Sequence, residues 1–186
     1  LTGVRAELLP SVMITDGIDK RVDKLVDHYN DIHSTFSHIQ RDIIIGGNWV
    51  WAYGGFDSYQ VGLEISDDIT AVTTGRMKPE EEQVVKHLPW MLWREWIDTL
   101  STFKYGIQLG TASAGTFNLN CSFHGIPCVG YSNVNTQNTL HPLTTVDVGD
   151  IDNAKHIAKK LKDKKFYDLC VDTTLKRYEL YYTEKS

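Results

Sequence analysis

The 186-residue sequence contains no apolar run near the roughly 20 residues that a membrane-spanning helix requires. Its opening stretch, Leu1 to Pro10, lacks the basic start and long apolar segment of a secretory signal. Positive charge is short as well: 19 Lys and Arg stand against 24 Asp and Glu, for a net charge of −5. No diffuse positive field exists to hold a polyanion, which argues against nucleic acid as a partner. Cysteine is scarce. Cys121, Cys128 and Cys170 are odd in number and lack metal-ligand spacing, so we expect packed, reduced thiols. Two glycine signatures are also missing. Gly110-x4-Gly115 is followed by Thr-Phe where a P-loop needs Lys and a hydroxyl, and Gly3, Gly17, Gly46, Gly47, Gly54 and Gly55 never form G-x-G-x-x-G.

What is present fits one ordinary globular domain, with 41% hydrophobic, 23% charged and 11% aromatic residues. Disorder, collagen and coiled coil are excluded. The expected location is cytoplasmic or membrane-peripheral. No repeat, low-complexity tract or linker divides residues 1–186. The chain opens at Leu1 without an initiator Met, which raises the expectation of a fragment that lacks a partner domain.

The hydrophobic pattern alternates between two periods. Ser11 to Thr15 reads as a strand closed by Asp16-Gly17, and Val22, Leu25, Val26, Tyr29, Ile32 and Phe36 form one helical stripe. Asp42 to Ile45 is a β-branched run stopped by Gly46-Gly47, the pattern of a strand buried on both faces. Ile69 to Thr73 reads as a third strand, and Pro79 with Glu80, Glu81 and Glu82 opens a helix. A further helix is expected within Leu88 to Ile97. Strands follow at Tyr105 to Leu109, Pro127 to Tyr131 and Thr144 to Val148, with a helix from Gly115 to Phe123 between the first two. Beyond Asp150 or Asp152 as N-cap the chain is helical through Leu161, and again from Phe166 to Tyr181. Strands alternating with helices at this interval predict an α/β, doubly wound parallel sheet of the Rossmann-like kind.

In such a sheet ligands bind outside the carboxyl ends of the strands, where helix N-termini present unpaired N–H groups. Unusual chemistry falls at those ends. The first loop carries Asp16, Gly17, Asp19, Lys20 and Arg21, and the third carries Thr74, Gly75, Arg76 and Lys78. The loop Gly110-Thr-Ala-Ser-Ala-Gly-Thr116 is small and hydroxyl-rich, so its backbone can approach an anion closely. Backbone N–H groups from Gly115 to Asn118, with Lys20, Arg21 and Arg76 as compensating cations, make a candidate nucleotide diphosphate site. The plainer reading is that Gly17 and Gly75 end strands and that Lys20 and Arg21 lie in a solvated helical turn.

Other constellations are thinner. His28, His33 and His38 are spaced by five, which puts successive rings about 140° apart on a helix and precludes one metal face. Cys121 and His124 at i and i+3 are packing residues more often than a thiolate and its base. Trp90, Trp93 and Trp96 fit one helical stripe that wedges a helix against the sheet rather than a sugar platform. Trp49, Trp51 and Tyr53 alternate beside Gly54-Gly55 and are candidates for contact with a missing domain.

The stretch from Tyr105 to Phe166 resembles the C-terminal, donor-binding domain of GT-B glycosyltransferases. The residues that carry the resemblance are Tyr105-Gly-Ile-Gln-Leu-Gly-Thr111, then Ser113-Ala-Gly-Thr-Phe-Asn-Leu-Asn-Cys-Ser-Phe-His-Gly-Ile-Pro-Cys-Val-Gly-Tyr131, then Val146-Asp-Val-Gly-Asp-Ile-Asp-Asn-Ala-Lys155. Lys159 to Tyr182 is similar to the family's closing helices. Looser likeness joins Thr15 to Arg21, Ile45-Gly-Gly47 and Thr74-Gly-Arg76 to its first loop, second strand end and nucleobase loop.

The resemblance implies a nucleotide-sugar donor site built from Asp16, Gly17, Lys20, Arg21, Gly75, Arg76, Ala114, Gly115, Thr116, Phe117, Asn118 and Asn120. It implies no metal or other cofactor. It further implies an acceptor-binding N-terminal domain outside this chain, so that the chain alone is an inactive half of a hexosyltransferase-type enzyme. Where retaining members carry two glutamates eight positions apart, this sequence has Ala112 and Asn120. Neither is a carboxylate, although Asn120 retains the capacity to bond a ribose or sugar hydroxyl. The alternative from another class is a non-catalytic nucleotide-binding or protein-interaction module that uses Trp49 to Phe56. A sugar-nucleotide epimerase would need acid-base residues that the sequence does not display.

Overall fold

A computed structural model describes residues 41–47, 49–72, 84–89 and 91–182. The strand and helix expected within residues 11–36, and the helix expected from Pro79, lie outside the described residues. Six parallel strands form one sheet: β1 (Arg41–Ile45), β2 (Ile69–Ala71), β3 (Lys86–His87), β4 (Phe103–Gln108), β5 (Cys128–Tyr131) and β6 (Thr145–Val146). Their order is β3-β2-β1-β4-β5-β6, with every neighbouring pair parallel. The expected α/β, Rossmann-like parallel sheet is therefore what the chain forms. The helices are α1 (Gly55–Gly62), α2 (Trp93–Leu100), α3 (Thr116–Phe123), α4 (Asn135–Leu140), α5 (Ile151–Lys160) and α6 (Lys164–Tyr182).

The central strand explains the layers. Ile43, Ile44 and Ile45 are all fully buried, each contributing about 2 kcal/mol of hydrophobic burial. Period two sends them to opposite faces. Ile43 and Ile45 join Tyr105, Ile107, Val61, Ala154 and Ala158 in one cluster, while Ile44 joins Phe103, Phe117, Cys121 and Cys128 in the other. Parallel strands therefore read as continuous apolar runs because both faces are covered by helices.

Local chemistry sets the helix ends. Asp150 caps α5 by accepting the Asn153 N–H at 3.1 Å, as the sequence suggested, and Lys159 and Lys160 lie in its last turn. α2 starts four residues after Pro89, with the Glu95 carboxylate accepting the Leu92 N–H at 2.8 Å. The expected wedge of tryptophans divides. Trp96 packs against Phe117, whereas Trp93 is 42% exposed.

Two helices and a strand depart from the sequence reading. α1 begins at the end of the Trp49 to Phe56 stretch, α4 lies between the fifth and sixth strands, and β3 pairs with β2 along Thr70↔Lys86 and Ala71↔His87. All three cysteines are free and buried, as expected. Among the described residues no helix is long and apolar enough to cross a membrane.

Candidate functional site

Strand order reverses between β1 and β4: β1 is followed by β2 on one side, and the chain returns to place β4 on the other. Loops leaving the two strands diverge there and open a crevice at their carboxyl ends. A cleft of about 280 Å³ occupies this position, lined by Gly47, Tyr53, Val72, Gln108 and the run Ser113 to Phe117. None of these lining residues is charged.

The loop that forms one wall is clamped from below. Ala112 N–H donates to Ala52 O at 2.9 Å, and Leu109 N–H donates to Ser58 Oγ at 3.0 Å. The approach is close enough that a Cβ on Gly54 would stand 1.9 Å from Leu109 O. Much of the stretch from Trp49 to Phe56 is thus spent inside the molecule. Trp49 is 6% exposed and packs on Tyr59, while Tyr53 and Phe56 stay 39% and 47% exposed.

The helix that opens on the cleft is α3. Its N-cap is Gly115, at φ 79°, a left-handed conformation that a side chain disfavours. Gly115 N–H donates to Ser113 Oγ at 3.2 Å, and Ser113 Oγ donates to Gln108 Oε1 at 2.9 Å. Thr136 Oγ1 donates to Gly115 O at 3.0 Å from the far side. No side chain caps α3, so its first-turn amides remain available toward the cleft.

The sequence-predicted site residues separate into three groups. Ala114, Gly115, Thr116 and Phe117 line the cleft together, with Ala114 and Thr116 exposed and Phe117 lying against Gly46. Asn118 and Asn120 point inward. Asn118 is 1% exposed, and its Nδ2 donates to Gln137 Oε1 at 2.7 Å. Asn120 is 2% exposed; its amide nitrogen donates to Thr116 O at 3.2 Å and its oxygen accepts the Trp96 indole N–H at 2.9 Å. Asp16, Gly17, Lys20, Arg21, Gly75 and Arg76 lie outside the described residues.

Sequence reasoning missed Gln108 and Val72, and it gave Tyr53 to contact with a missing domain where the structure puts it in the cleft lining. Gln108 did carry a signal, because a polar residue closing an apolar strand stands where loops and ligands meet. Cys121 is not set up as a nucleophile. It is fully buried against Cys128, and burial pushes its thiol well above the usual range. Among the described residues no group of three or more His, Cys, Asp or Glu is gathered as metal ligands would be.

This parallel α/β fold is shared by domains of several solved glycosyltransferases. Solved structures with this fold include WaaG, a glycosyltransferase involved in lipopolysaccharide biosynthesis, at 11% identity and a TM-score of 0.60 over 83% of this chain and 48% of that one. The C-terminal domain of LpcC, a group 1 family glycosyl transferase from Francisella tularensis, matches at 12% identity and a TM-score of 0.60, covering 85% of this chain and 93% of that domain. Anabaena HepE, solved in complex with UDP-glucose, matches at 9% identity and a TM-score of 0.59, covering 84% and 49%. The chain thus spans about half the length of WaaG and HepE, and nearly all of the LpcC domain. No protein-family model and no curated protein matches the sequence.

Proposed function

We propose that the chain binds the nucleotide-sugar donor of a glycosyl transfer reaction and forms one half of a two-domain hexosyltransferase. One observation carries the reading: the uncapped N-terminus of α3 opens into the cleft at the strand-order reversal. The fold, and the UDP-glucose held by HepE, support it. The diphosphate sits against the α3 amides, with Ala114, Gly115, Thr116 and Phe117 forming the cradle.

Charge compensation falls to Lys20, Arg21 and Arg76, since the described lining is neutral. Arg76 follows Val72, a lining residue, by four positions. As the glycosidic bond breaks, negative charge develops on the leaving diphosphate, and donors already in place lower that barrier without reorganising. The reading requires neither a metal nor another cofactor. Asn120 plays no part in it as a ribose ligand, because its amide is already engaged by Trp96 and Thr116.

Isothermal titration with UDP, GDP and ADP sugars tests the proposal. Saturable binding of one nucleotide, weakened by the double change Lys20→Ala and Arg21→Ala, is expected; no binding by any at millimolar concentration removes it. The competing interaction-module reading has the exposed Tyr53 and Phe56 in its favour. It prevails if the double variant leaves nucleotide affinity unchanged while Trp51→Ala abolishes association with a partner.

A further inference from the structure

Gln108 is the last residue of β4 and is 6% exposed, and it lines the cleft. Burying a primary amide is costly unless both its ends find partners. Only one end does. Oε1 accepts the Ser113 hydroxyl, which in turn accepts the Gly115 N–H. This relay holds the amide plane, with Oε1 toward Ser113 and Nε2 on the opposite side. There Nε2 has no acceptor among the described residues. It stands beside Gly47, 3.1 Å from where a Cβ on that glycine would be, and both residues line the cleft.

A fixed carboxamide with unspent N–H donors therefore shares one cavity with the free first-turn amides of α3. All of these groups are neutral and all are donors, so the ligand atom they suit is an oxygen carrying negative charge. We infer that Gln108 is a specificity-determining residue of this cleft, donating from Nε2 to a phosphate oxygen of the bound ligand while Oε1 holds the turn that opens α3. The inference rests on the donor-binding reading above and adds to it a side chain that selects for phosphate. Its two ends are separable. Ser113→Ala removes the bond that orients the amide but keeps the Nε2 donor, whereas Gln108→Glu keeps an acceptor for Ser113 and replaces the donor with a charged oxygen.

The experiment is calorimetry on the full chain with inorganic pyrophosphate, which has neither base nor sugar, alongside UDP, GDP and ADP. In Gln108→Glu, pyrophosphate and nucleoside diphosphate affinity falls at least about tenfold, the scale of one lost hydrogen bond to a charged group. The loss is larger at low ionic strength because the introduced carboxylate repels the phosphate, so the uncharged Gln108→Met is measured beside it to read the lost donor alone. Ser113→Ala costs about threefold or less. Gln108→Met, similar in length and without donors or charge, loses about threefold or more, and it stands alone should Gln108→Glu fail to fold. Binding of pyrophosphate by a folded Gln108 variant within twofold of the parent protein overturns the inference and leaves the donor-binding reading intact. Failure of the parent protein to bind any of these ligands removes both.

Discussion

His141 is 1% exposed and joins α4, α3, β5 and α6 at one point. Its Nε2 donates to Asn118 O at 2.9 Å, and its Nδ1 accepts from Thr174 Oγ1 at 3.1 Å and Cys128 N–H at 3.4 Å. Those partners suit a neutral ring. Burial pulls its pKa down to about 4, although the bond to Asn118 O acts in the other direction. The unfolded chain takes up this proton near pH 6.5, the folded chain only near 4, so between these values the unfolded state holds more protons. Stability from this group is complete above pH 6.5 and is lost as pH falls toward 4, by up to about 3 kcal/mol. Urea midpoints measured from pH 8 to 4.5 should decline through that window, and His141→Gln should start lower and flatten the decline. An equally steep decline in the variant would assign it to other groups.

At the scale of the element, α3 depends on an N-cap residue that has no side chain. A Cβ at Gly115 would stand 2.0 Å from Thr136 Oγ1, in a backbone conformation that already disfavours one. Gly115→Ala should therefore destabilise by about 2–4 kcal/mol, measured by denaturant unfolding, and should weaken nucleotide binding; a neutral result would mean that the turn relaxes freely. Gly115 and Gly125 bracket α3 in the sequence, which is why this helix was legible. α1 was not. Its buried residues are Gly55, Ser58, Val61 and Gly62, small groups that let the helix lie close to the sheet and leave no apolar stripe to read. α4 hides for a related reason, since Thr136 and Gln137 are buried beside Leu140 through bonds to backbone and side chains. β3 is only two residues long, and Lys86-His87 has no β-branched or aromatic residue to announce it.

At the scale of the whole molecule, the chain covers 93% of one glycosyltransferase C-terminal domain and about half of the longer relatives. Under the proposal it supplies donor binding and leaves the acceptor to another domain. The purified chain should then bind its nucleotide sugar yet transfer no labelled sugar to candidate acceptors; steady turnover by the chain alone would show that half a fold of this kind suffices.

Hydrophobic pattern alone was enough to locate the strands and the helices with one apolar face, to make the sheet parallel, and to put the loop before α3 at the carboxyl ends of the strands. Hydrophobic periodicity reports whether a face is buried, so buried strands such as Asp42 to Ile45 declare themselves. It does not report what lies across from that face. That Gly47, Val72, Gln108 and the Ser113 turn share one cleft, and that Asn118 and Asn120 turn away from it, emerges from the folded chain, because those outcomes depend on strand order and on hydrogen bonds between residues far apart along the chain.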